Sequence, residues 1–133
     1  MSLSITAVTA AVLALLLLVT AIETVSKRLK LKAAFGDADD PGLIAAMRSH
    51  GNLSEHAPIV LIMLGLLEFG GANSTLLISI AGAFIVGRFA HVIGLHQRSE
   101  PGKAPLARQI GVILTWLTLL ALAILLLVGV FVN

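Results

Sequence analysis

The chain contains no cysteine and no tyrosine, only five phenylalanines and one tryptophan, and just 12% of its 133 residues are charged. Without cysteine there is no disulfide, no thiolate metal site and no cysteine nucleophile. Any thiol chemistry must therefore arrive with a ligand. The net charge of +2 is small, and the basic residues flank apolar segments with no interleaved aromatics, so no nucleic-acid signature is present. What the chain does have is hydrophobic residues, 58% of the total, in long runs. That composition is one of an integral membrane protein.

The runs divide the chain into four. The first, from Leu3 to about Val25, is broken only by Ser, Thr and Glu23. At 1.5 Å per residue it can span a hydrocarbon core of roughly 30 Å. No Lys or Arg precedes it, it is long, and no small-residue cleavage site is evident, so it reads as a spanning helix rather than a cleaved signal peptide. The basic cluster Lys27-Arg28-Leu-Lys30-Leu-Lys32 follows, which puts this end in the cytoplasm and the N-terminus outside. Glu23 and Lys27 form an i,i+4 pair in the favoured order. A turn-rich loop then ends in Asp40-Pro41, an N-cap followed by proline at the first helical position. The second helix spans about 41–69, with Pro58 expected to kink it by removing one amide donor. Gly70-Gly71-Ala-Asn73-Ser74 is a tight turn, the third helix covers about 75–96, and the fourth about 106–130. All nine Lys and Arg residues fall at 27–48 or 88–108, beside the two loops assigned to the cytoplasm. The expectation is an all-α membrane protein, one domain over 1–133, forming an up-down bundle of four transmembrane helices with both termini outside.

Polar residues intrude at two places. In Arg48-Ser-His-Gly-Asn52-Leu-Ser-Glu55-His56-Ala-Pro58, the helical repeat sets Arg48, Asn52 and Glu55 within about 60° of one another. His56 lies at the edge of that stripe, while His50 points elsewhere. Arg88 and His91 are spaced i,i+3 in the third apolar run. A charge at membrane depth costs on the order of 2.5 kcal/mol or more, so these groups should face protein or water and mark a polar pocket. The alternative is a cluster that only fixes helix packing, with Arg88 satisfying Glu55. His50, Glu55 and His56 share no face, so they do not make a metal site. His50 and His96 are expected at the interface, and Arg98, Lys103 and Arg108 serve either as positive-inside residues or as ligand contacts. Trp116, inside the fourth helix, is expected to pack between helices. Gly65, Gly82, Gly87, Gly94 and Gly111 permit close helix approach in lipid. Four helices of this size barely enclose a pocket, which points to an oligomer with its site at a subunit interface.

Arg48-x-His50-x-Asn52-x-x-Glu55-x-x-Pro58, followed about forty residues later by Gly87-Arg88-x-x-His91-x-x-Gly94, resembles the MAPEG family, the membrane-associated proteins of eicosanoid and glutathione metabolism. The resemblance extends over essentially the whole chain, and the length and the loop Ala-Phe-Gly36-Asp37 look like the short bacterial branch. It implies a homotrimer in an inner membrane, with glutathione held in a polar pocket between subunits that opens toward the cytoplasm. On this resemblance Arg28, Arg48, Asn52, Glu55 and His56 hold glutathione, and Arg88, His91 and Arg108 are the catalytic candidates. An arginine can pair with a glutathione carboxylate, Glu55 can receive its amino group, and Asn52 can bridge amides. The chain departs from the better-known enzymes in having no tyrosine: Leu95 and His56 stand at positions where those enzymes use one.

Two functions of different class follow. One is a glutathione transferase or peroxidase acting on lipophilic electrophiles or hydroperoxides dissolved in the surrounding lipid, with a cation stabilising the thiolate. The other is a non-catalytic membrane protein that keeps the pocket for another ligand or for packing. A small proton-coupled exporter fits less well, because cations surround Glu55 and the topology is strongly biased.

Overall fold

The computed structural model describes residues 2–98 and 102–132. Met1, Asn133 and the stretch Ser99, Glu100 and Pro101 of the expected basic loop lie outside the described residues. Four helices account for nearly all of the rest: α1 (Ser4–Leu31), α2 (Pro41–Phe69), α3 (Ser74–His96) and α4 (Leu106–Val132). Each is long and apolar enough to cross a membrane. The protein is an all-α membrane protein.

The first helix runs six residues beyond the expected Val25. Lys27, Arg28 and Lys30 lie within its last turns instead of after them. Straight-chain cations are good helix formers, they suit the negative end of the helix dipole, and their stems can run along apolar surface toward water. The helix stops at Lys32, which adopts a left-handed conformation with φ 53°, and its amide and that of Ala33 return to Leu29 and Arg28. At the start of α2, the Leu43 amide donates to Asp40 Oδ1 at 2.7 Å with Pro41 in the first helical position, as the sequence predicts. Helix α2 continues through Pro58. Asn73 caps α3 in the same way, accepting from the Leu76 amide at 3.0 Å.

Like α3, helix α2 packs against all three of the other helices, whereas α1 and α4 do not meet among the described residues. The buried face of α2, Leu53, Ala57, Val60, Leu64 and Leu67, meets Leu13 and Leu16 of α1, Leu77, Ala81 and Phe84 of α3, and Leu122 of α4. Buried threonine hydroxyls are answered inside their own helices, Thr9 by the Ile5 carbonyl and Thr115 by that of Gly111. Trp116 corrects an expectation. It is 65% exposed, because the buried side of α4 is the one that carries Gly111, Thr115, Thr118 and Leu122.

The closest helix crossing is between α3 and α4, where backbone meets backbone. A β-carbon on Gly94 would strike the backbone of Arg108, and one on Gly111 would come within 2.6 Å of the Gly87 carbonyl and 2.7 Å of the His91 amide nitrogen. Small residues at such a seam give the contact that hydrophobicity cannot supply between helices in lipid. At the other end of the bundle, Glu68 closes the α1–α2 hairpin. Its carboxylate accepts from the amides of Ile5 and Thr6, both at 2.8 Å, and from the Thr6 hydroxyl at 2.7 Å. α1 has no side-chain cap of its own, so a residue from the next helix answers its free amides and the positive end of its dipole.

Two outcomes are expected in detergent thermal unfolding. Gly94→Val should destabilise by about 1–3 kcal/mol through overpacking, whereas Gly82→Ala, whose β-carbon meets nothing within 4 Å, should leave the midpoint unchanged. Glu68→Ala should cost about 1 kcal/mol, the usual loss for a helix cap.

Candidate ligand-binding site

The buried guanidinium of Arg88 is the centre of the polar cluster. Arg88 is 2% exposed and is the largest fully buried side chain among the described residues. Its position on α3 is set by the glycine seam, which draws that part of the helix against α4, and its target lies on α2. Nη1 donates to Asn52 Oδ1 at 3.2 Å and reaches the Asn52 backbone carbonyl at 3.5 Å. The guanidinium carbon lies 5.8 Å from the centre of the Phe84 ring, close enough for a cation–π contact. Nε and Nη2 are buried without a partner among the described residues. No carboxylate of the described residues pairs with it, so Arg88 meets Asn52 and not Glu55.

Asn52 also binds the second imidazole of α2. His56 Nδ1 lies 2.8 Å from the Asn52 backbone carbonyl. A carbonyl only accepts, so Nδ1 carries the proton. His91 is 4% exposed, one turn along α3 from Arg88, and lies within electrostatic reach of Arg88, Arg108 and His56. The Arg108 backbone packs on Gly94, while its side chain is exposed and borders a groove with Ala104, Gln109, Val112 and Ile113. The structure thus brings together Asn52, His56, Arg88, His91 and the start of α4. The cluster is cationic, with spare donors and no anion.

Arg48 and Glu55, from the same stripe as Asn52, are exposed on the surface of the bundle. Neither takes part in an ion pair among the described residues, where the only salt bridges run from Glu23 to Lys27 at 3.5 Å and to His96 at 2.9 Å. Arg28 is placed apart from the cluster. It donates to the carbonyls of Ala33 and Ala34, both at 3.3 Å, and to Met47 Sδ at 3.4 Å, so it ties the end of α1 to the loop and to α2. Arg48 and Glu55 thus lie on an open face, while Asn52 is part-buried against Arg88.

This arrangement can be set beside known proteins. The family model described as MAPEG family matches residues 6–128. The chain belongs to the MAPEG family. Its relatives include the inner membrane protein YecN of Escherichia coli K12 and that of Escherichia coli O6:H1 strain CFT073. Each is 32% identical to it over 112 residues, covering 84% of this chain and 81% of the relative. No solved structure matches the chain significantly.

Within this MAPEG chain, two structural roles carried little signal in the sequence. Glu68 could have been found only by noticing that α1 begins without a cap and that an up-down hairpin brings the end of α2 beside it. His96, expected at the interface, bridges α3 to Glu23 of α1.

The dependence of Arg88 on Asn52 has a direct consequence. Asn52→Leu should cost about 1–3 kcal/mol in thermal unfolding, the penalty for stranding a buried donor. Replacing Arg88 by methionine in the same chain should recover most of that loss, since the stranded charge is then gone.

Proposed function

We propose that this protein is an inner-membrane glutathione-binding protein. In this reading it assembles as a homotrimer and transfers glutathione to, or reduces, lipophilic electrophiles or hydroperoxides. One observation carries the reading: Arg48 and Glu55, a cation and an anion with no ion pair among the described residues, stand exposed on a membrane-spanning helix beside the part-buried Asn52 that holds the buried Arg88. A charge left facing lipid costs several kcal/mol, so that face requires a polar cover. A neighbouring subunit with a zwitterionic peptide between the two would supply it. Glutathione matches the set in chemistry, its carboxylates suiting Arg48 and its amino group suiting Glu55. Its amides suit Asn52.

The thiol of such a ligand would be drawn toward the cationic end of the cluster, where Arg88, His91 and Arg108 favour the thiolate. Attack on an electrophile dissolved in the surrounding lipid then needs no cysteine from the protein. Inner-membrane placement is supported by the relatives' names, and the basic loops support a site opening toward the cytoplasm. Arg28 is assigned a supporting role at the rim, since its donors already serve the loop and Met47. A second reading, a non-catalytic MAPEG protein that keeps the cluster for packing, is favoured by the Arg88–Asn52 bond, which already joins α2 and α3.

Calorimetry on the detergent-purified protein, with thiolate absorbance followed in the same samples, separates the two. Glutathione binding with a thiolate signal is the expected result, and no binding at millimolar glutathione overturns it. Glu55→Gln and Arg48→Ala should each weaken glutathione about ten- to hundredfold, the equivalent of the roughly 1.5–3 kcal/mol of a charge-assisted hydrogen bond. Both variants should retain the oligomer on size exclusion. Loss of the oligomer in either would favour the packing role.

A further inference from the structure

Two side chains meet on Asn52, and together they have complementary vacancies. His56 donates Nδ1–H to the Asn52 backbone carbonyl at 2.8 Å, which fixes the ring in one tautomer and leaves Nε2 as a bare acceptor. Nε2 has no partner among the described residues, and the ring is only half-buried. Arg88 donates to both oxygens of that same Asn52 and holds Nε and Nη2 buried and unanswered among the described residues. A free acceptor next to free cationic donors suits an acid X–H whose proton leaves as its heavy atom becomes an anion. A neutral alcohol or amide would leave the cation unmatched.

We propose that His56 is the proton acceptor of this site, with Arg88 holding the anion that results. The inference rests on the glutathione reading and names the group that ionises the thiol. In the step, the S–H bond breaks and its electron pair stays on sulfur. The proton passes to His56 Nε2, and the ring becomes an imidazolium while Nδ1–H remains on the Asn52 carbonyl. The thiolate takes the donors of Arg88, and the ring later returns its proton to water along its exposed edge. Charge and protons balance without a metal or a redox partner. His91, buried next to Arg88, is the alternative acceptor, and the test distinguishes the two.

The substitution His56→Asn keeps an amide donor where Nδ1 stood and removes the acceptor at Nε2. In stopped-flow mixing of the full-length protein with glutathione, the rate of thiolate appearance should fall about a hundredfold, the usual contribution of a general base. Affinity for S-methylglutathione, which has no proton on sulfur to lose, should fall far less than that rate. His91→Asn removes only a neighbouring contribution to the thiolate, so its rate of thiolate appearance should fall far less than that of His56→Asn. If His56→Asn does not fold, His56→Gln serves in its place: it restores an acceptor near Nε2 too weak to take a proton, and the same fall is expected. An unchanged rate in the His56 variants, or a fall confined to His91→Asn, overturns the inference while leaving glutathione binding intact. Binding by the native chain without any thiolate also overturns it. Failure of the native chain to bind either peptide would instead overturn the functional reading on which it rests.

Discussion

A guanidinium enclosed by a lipid-spanning bundle costs several kcal/mol unless its donors are answered, and among the described residues Arg88 has one of its three nitrogens answered, by Asn52. Much of the local architecture bears on that group. Helix α2 packs against α3, so the part-buried Asn52 can meet Arg88. Phe84, one turn earlier on α3, places its ring near the cation. The glycines at 87, 94 and 111 bring α4 so close that Gly87 meets the Leu114 side chain and Gly94 meets the Arg108 backbone. A buried cation held by a neutral amide is incompletely satisfied, and that incompleteness is what makes the cluster a candidate for an anion.

The remainder of the fold isolates this cluster. Glu68 fastens the start of α1 to the end of α2, and Glu23 with His96 fastens the later part of α1 to the end of α3. With both ends tied, α1 lies along one side of the bundle and leaves the face carrying Arg48 and Glu55 uncovered. Charges of both signs on an open face at membrane depth are stable only when covered by polar matter. The same physical constraint that leaves Arg88 under-satisfied inside the chain also acts on its surface.

The four spans were legible because hydrophobic length is a strong signal, and the cap at Asp40 followed from local hydrogen-bonding chemistry. The end of α1 was missed because cations at Lys27, Arg28 and Lys30 mark a membrane boundary, whereas a helix can continue past that boundary into water. Trp116 was misplaced because its position in the chain says that it lies in a helix but not which side of α4 is buried. Arg48, Asn52 and Glu55 were correctly placed on one stripe, yet the helical repeat could not divide them. One member turns toward Arg88, and the other two are left to the surface.

The sequence by itself determined the class of protein, the number of helices and the residue types gathered near the site, because apolar runs, charge placement and helical periodicity are local quantities. Only the tertiary structure decided who meets whom. That Arg88 bonds Asn52 and not Glu55, that His56 is fixed through Nδ1, and that Glu68 caps a helix more than sixty residues away all depend on how helices distant in sequence are brought to one depth. Backbone contact at the glycines and the requirement to answer buried polar groups set that depth, and no stretch of sequence read alone contains either.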